Sequence, residues 1–169
     1  MADSFPNEQE KQAWLVSLRL LTATPKSVKE LRDKLTAKGF PEPVIQKTLE
    51  TLESRGILSD RAFAQNIVAR FTQGRPSGNR KISFELKRKG VSAKIQEEVL
   101  EGLNPDEETE RAREMAQMKW ERFARLDPEK RKKRVYDFLI RRGFDFQLVR
   151  DILEEIESGS KKQDLPRSL

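Results

Sequence analysis

Histidine and cysteine are both absent from this chain, so the usual general base near neutral pH, the thiolate nucleophile and the ordinary ligands of zinc, haem and iron–sulfur clusters are all missing. Charge is the chemistry that remains. Asp106, Glu107, Glu108 and Glu110 would supply the oxygen donors of a Mg²⁺-dependent nuclease. They follow Pro105, however, and carboxylates in a first helical turn are accounted for by the helix macrodipole. GRPSGNRK, Gly74 to Lys81, lacks both the GxxxxGK[ST] spacing and the preceding strand of a phosphate-binding P-loop. No carboxylate pair stands apart from the helix-surface background. The residues predict a non-enzymatic protein with no metal and no cofactor.

The basic side chains are distributed unevenly. Residues 1–60 hold nine basic and nine acidic side chains, residues 61–95 nine and one, residues 96–110 none and seven, and residues 111–150 thirteen and six. A formal net charge of +6 thus hides two basic zones, and two such zones favour a polyanionic partner. The candidates in the first zone are Arg70, Arg75, Arg80, Lys81, Lys87, Arg88 and Lys89. Those in the second are Lys132, Lys133 and Arg134, within the run KRKKR, with Arg141 and Arg142. Guanidinium forks and backbone N–H groups both suit phosphate, and electrostatics alone gives affinity without sequence preference. Glu85, inside the first zone, is expected to pair with Lys81 or Lys89 at i±4.

A short apolar pattern, written three times, positions these charges. LRDKLTAKGFPEPVIQKTL (Leu31 to Leu49), ISFELKRKGVSAKIQEEVL (Ile82 to Leu100) and VYDFLIRRGFDFQLVRDIL (Val135 to Leu153) align without a gap. Each reads as a helix, a stop at Gly39, Gly90 or Gly143, and a second helix, with Phe40, Val91 or Phe144 folding back on the preceding turn. A further helix precedes each copy. Trp14, Leu15, Leu18 and Leu21 mark the first, ending near Pro25, after which Ser27 and Glu30 form a capping box. Ser59 and Asp60 cap one carrying Phe63, Ala64, Ile67, Val68 and Phe71, broken by GRPSG. Pro105 opens one with Met115, Met118, Trp120 and Phe123, and Asp127 with Pro128 opens the next.

The expected fold is all-α: three tandem three-helix repeats forming an elongated, curved array, at residues 7–57, 58–104 and 105–157, with a disordered tail at 158–169. At 36% hydrophobic and 37% charged, a thin array suits the composition better than one thick core. The amino terminus has no signal pattern, and no stretch approaches the about 18 apolar residues of a membrane span. A cytoplasmic, monomeric protein is predicted.

RGILSDRAFAQNIVARF (Arg55 to Phe71) with RPSGNRKISFELKRKGV (Arg75 to Val91) resembles the central repeat of the RecX family, modulators of the recombinase RecA. RGFDFQLVRDIL resembles that family's third repeat and SVKELRDKLTAKGF its first, so the resemblance spans about residues 10–157. Ser59, where many members have a second acidic residue, and the RPSG loop depart from the pattern. The resemblance implies a protein that binds RecA, free and as a nucleoprotein filament, inhibiting its recombinase, ATPase and coprotease activities, with single- and double-stranded DNA bound non-specifically. Two other readings fit composition and periodicity: a sequence-specific helix-turn-helix regulator, which predicts a preferred duplex site, and a helical adaptor for an acidic protein, which predicts indifference to nucleic acid.

Overall fold

The three aligned glycines end three helices in one way. The computed structural model describes residues 7–163, with side chains to residue 159. In it Gly39, Gly90 and Gly143 take φ of +84°, +78° and +81°, a region that costs a residue with a Cβ about 1–2 kcal/mol. The amides of Phe40, Val91 and Phe144 reach back to the carbonyls of Leu35, Leu86 and Leu139 at 3.3, 3.1 and 3.3 Å, and the glycine amides reach Thr36, Lys87 and Ile140. These are the paired bonds of a Schellman end. The three leucines are fully buried, so each one fills a core and accepts the bond that closes its helix. A fourth such end, at Gly56 with φ +68°, lies outside the aligned pattern.

Among the described residues the chain forms nine α-helices and no strand: α1 Glu8–Ala23, α2 Val28–Ala37, α3 Glu42–Ser54, α4 Asp60–Ala69, α5 Asn79–Arg88, α6 Ala93–Glu101, α7 Pro105–Arg122, α8 Pro128–Arg141 and α9 Phe146–Gln163. Side chains cap the starts that the sequence marked. Ser27 accepts the Glu30 N–H in a complete capping box, and Asp127 accepts from Glu129 and Lys130.

Three details differ from expectation. GRPSG does not simply break α4: a π-helical turn, Arg70–Gly74, continues it, with the Arg75 N–H reaching the Arg70 carbonyl at 2.9 Å. Leu15 and Met118 lie 49% and 55% exposed, off the buried stripes of their helices. The expected disordered tail begins inside α9, which runs to Gln163; residues 164–169 lie outside the described residues.

The helices divide between two compact units. The first holds the chain up to Ile67 with Glu85–Val99, around a core of Trp14, Leu31, Leu35, Ile45, Leu49, Leu52 and Leu58. The second holds Val68–Phe84 with the chain from Leu100 onward, around Ala112, Met115, Ala116, Trp120, Val135, Leu139, Phe144, Val149, Ile152 and Leu153. The second repeat contributes to both units, and its α6 has no fully buried residue.

Each unit contains one junction between repeats. In the first unit, the start of α2 meets the start of α4 and the Gly90 turn. Buried Ser27 donates its hydroxyl to the Lys89 carbonyl at 2.6 Å while accepting from Glu30 at 3.1 Å, and Asp60 accepts the Val28 N–H at 2.8 Å. Asp60 therefore caps a helix other than its own; Ser59 alone serves α4, accepting from Ala62 at 3.2 Å. In the second unit, the start of α5 meets the start of α7 and the Gly143 turn. The Gly78 N–H donates to the Arg142 carbonyl at 2.9 Å, and Glu108 accepts the Asn79 N–H at 2.8 Å. Three of the four acidic residues of the cluster have partners: Glu108 caps α5, Glu107 faces Arg111 and Glu110 faces Arg113.

Candidate polyanion-binding surface

Whether a basic residue can meet a phosphate depends on what its donors already do. An ion pair consumes N–H donors, whereas a guanidinium stacked on a ring uses its π face and leaves its in-plane N–H edge available.

In the first unit, Arg88 donates to Glu85 at 2.6 Å, and that bond holds its guanidinium above its ordinary pKa. Glu85 thus pairs at i+3, and Lys89 is taken by Glu30 from α2. Neither expected partner at i±4 is the one used. Lys87 is exposed and has no ion pair among the described residues.

In the second unit, Lys132 donates to Glu157 at 2.9 Å, which raises its pKa. Lys81 lies beneath the Gly143 turn, its Cβ and backbone nitrogen occupying the space a Cβ on Gly143 would need. Arg80 stacks over Phe146 at 4.6 Å and stands 3.8 Å from Asp145. The Gln147 N–H holds the Asp145 carboxyl below the usual aspartate range, with further lowering from Leu148, Arg80 and Phe146. Arg70, Arg134 and Arg142 lie over Phe71, Phe123 and Phe138 at 5.0, 5.7 and 5.3 Å. Arg75, Lys133 and Arg141 are exposed and have no ion pair among the described residues.

The twelve candidates thus separate by their commitments. Arg88, Lys89 and Lys132 are paired, Lys81 is structural and Arg80 is partly engaged. Among the described residues Arg75, Lys87, Lys133 and Arg141 have no ion pair, and Arg70, Arg134 and Arg142 lie over rings. Arg131, which the candidate set omitted, covers Trp120 at 4.2 Å and donates to its carbonyl at 2.8 Å, so part of KRKKR is structural. No group of three or more metal-ligating side chains is placed to hold an ion among the described residues, and no helix among them is long and apolar enough to cross a membrane.

Family models for the first, second and third three-helix domains of RecX match residues 13–52, 59–100 and 106–153, in tandem. The chain belongs to the RecX family. Regulatory protein RecX of Chlorobium phaeobacteroides is 36% identical over 156 residues, covering 92% of this chain and 98% of that one. Regulatory protein RecX of Streptomyces lividans is 34% identical over 154 residues, covering 89% and 82%. The crystal structure of RecX from Lactobacillus salivarius superposes with a TM-score of 0.79 at 19% identity, covering 89% of this chain and 97% of that one, a likeness of fold. The family is thus one of regulatory proteins built from three three-helix domains.

Proposed function

We propose that this protein binds RecA, free and assembled on DNA, and restrains its recombinase, ATPase and coprotease activities, as a regulator of DNA repair and recombination. Membership of the RecX family over all three domains carries this reading. The cations left available by the fold, Arg75, Lys87, Lys133 and Arg141 with the stacked Arg70, Arg134 and Arg142, are the groups that meet DNA phosphates or acidic faces of the filament. The protein acts as a monomer in the cytoplasm, without a cofactor and without catalysis of its own.

The test is the ATPase rate of the host's RecA on single-stranded DNA as the protein is titrated in, with a control lacking RecA. A substoichiometric fall supports filament regulation. No change at saturation, with specific duplex binding in the control, overturns it in favour of the helix-turn-helix regulator. Replacing Arg75, Lys133 and Arg141 together by Glu is expected to abolish the fall, while Lys132→Gln leaves most of it. The reverse ranking would move the contact to the paired cations.

A further inference from the structure

We propose that Phe84 is a stacking platform for an unpaired nucleobase, with Arg80 holding the adjoining phosphate, so that the start of α5 and the start of α9 form a single-stranded nucleic-acid site. Phe84 is 63% exposed, more than any other large apolar side chain among the described residues. The helical phase puts it there: Ile82 and Leu86 are buried, and Phe84 between them projects away from their stripe. Arg80 is one turn before it on the same face, lying over the ring of Phe146, itself 47% exposed. One aromatic ring thus lies under the guanidinium and a second stands one helical turn along the same face.

The surface is also fastened within the fold. Gly78 bonds the Arg142 carbonyl, and Gly143 closes directly on the Lys81 backbone, so the α5 start and the α8–α9 turn are held together without nucleic acid. Charge complementarity selects the occupant. Val68–Phe84 carries four basic side chains and no acidic one. Two carboxylates stand at this surface: Glu108, already bonded to the Asn79 N–H, and Asp145, whose 3.8 Å pair with Arg80 has both ends more than half exposed, a weak pair that a phosphate displaces. Exposed rings interleaved with cations suit a strand whose bases are unstacked, because a duplex hides its base faces. The site rests on the proposed function only for its setting, since a recombinase filament presents single-stranded DNA; the contact itself belongs to the free protein.

The experiment compares binding of a labelled oligothymidine and an abasic oligonucleotide of equal length and charge, by fluorescence anisotropy at fixed salt without RecA. The wild type is expected to prefer oligothymidine by about tenfold. Phe84→Ala and Phe84→Leu lose that preference while keeping the abasic affinity, Phe84→Tyr keeps it, and Arg80→Ala weakens binding to both oligonucleotides. Equal wild-type binding to the two, no binding to either, or a preference that survives Phe84→Ala overturns the site. So does Phe84→Leu matching the wild type, which marks an apolar docking face for a protein. Circular dichroism of Phe84→Ala checks that its helices persist, and Phe84→Tyr and Arg80→Ala decide the matter if they do not. Wild-type inhibition of RecA ATPase, measured separately, reports on the proposed function whatever the oligonucleotides show.

Discussion

Ser27–Val28 in one unit and Gly78–Asn79 in the other stand 51 residues apart, the spacing of Gly39 and Gly90, yet the two helix starts are held by different chemistry. At the first, a side-chain hydroxyl reaches the carbonyl of the residue before the turn glycine, Lys89. At the second, a backbone N–H reaches the equivalent carbonyl, that of Arg142. Replacing the serine by a glycine lets the chains approach until no Cβ fits: one on Gly78 would overlap the Gly143 carbonyl and the Phe144 nitrogen, all backbone atoms. The first junction is polar and adjustable, and the second is close-packed. A repeat therefore fixes where a junction forms without fixing how it is held.

Gly143→Ala breaks the comparison most directly. It forces a Cβ into positive φ and to 2.5 and 2.6 Å from the Lys81 Cβ and nitrogen. We expect a loss above about 3 kcal/mol, hence a Tm lower by at least about 6 °C. Gly39→Ala pays the same φ penalty into open space and is expected to lose only about 1–2 kcal/mol. Gly90→Ala meets the flexible Lys29 side chain, its Cβ at 2.7 Å, and falls between the two. Thermal unfolding of the three variants ranks them, and equal losses at Gly39 and Gly143 would mean that the second junction is not close-packed.

Ser27→Ala sharpens the first junction. It removes a cap from α2 and leaves the buried side of the Lys89 carbonyl without its hydroxyl, for an expected loss of about 1–2 kcal/mol. Urea unfolding should show a lower midpoint at unchanged m. A loss below about 0.5 kcal/mol, the level of an ordinary surface change, would show that the Lys89 carbonyl finds water instead.

The fold was legible because glycine, leucine and aromatic positions specify a conformation as well as a burial. Gly39, Leu35 and Phe40 together require one helix ending, and that ending repeats. Two kinds of feature were not legible. Asp60 and Glu108 each lie in the first turn of a helix, where the macrodipole explains an acid; nothing local reveals that they cap Val28 and Asn79, 32 and 29 residues away in sequence. Likewise the basic excess was visible but its pairing was not, since Lys89 finds Glu30 at a separation of 59 residues. Phe84 is the contrary case. Its place between buried Ile82 and Leu86 already set it off the core stripe, and reading helical phase beside charge would have found it.

Asp60→Asn carries the smallest expected effect. Burial pushes the Asp60 carboxyl above the ordinary aspartate range, against the lowering effect of the Val28 N–H. Between the unfolded and folded values the native state therefore binds more protons, so this group's contribution to stability is fully present below the unfolded value and is lost as pH rises through the folded one. At pH 7 the ionised carboxylate has a hydrogen bond but bears a desolvation penalty. Asp60→Asn keeps an oxygen for Val28 and removes the charge, so it should stay within about 1 kcal/mol of wild type at pH 7. Asp60→Ala, which strands the Val28 N–H, should lose about 1–2 kcal/mol. As pH falls into the acid range, wild type should gain on Asp60→Asn, because only wild type takes up the proton. Asp145, whose lowered pKa makes its own contribution fade in acid, is present in both proteins and cancels in the difference. A difference that stays flat with pH would place Asp60 in water and reduce the first junction to its serine.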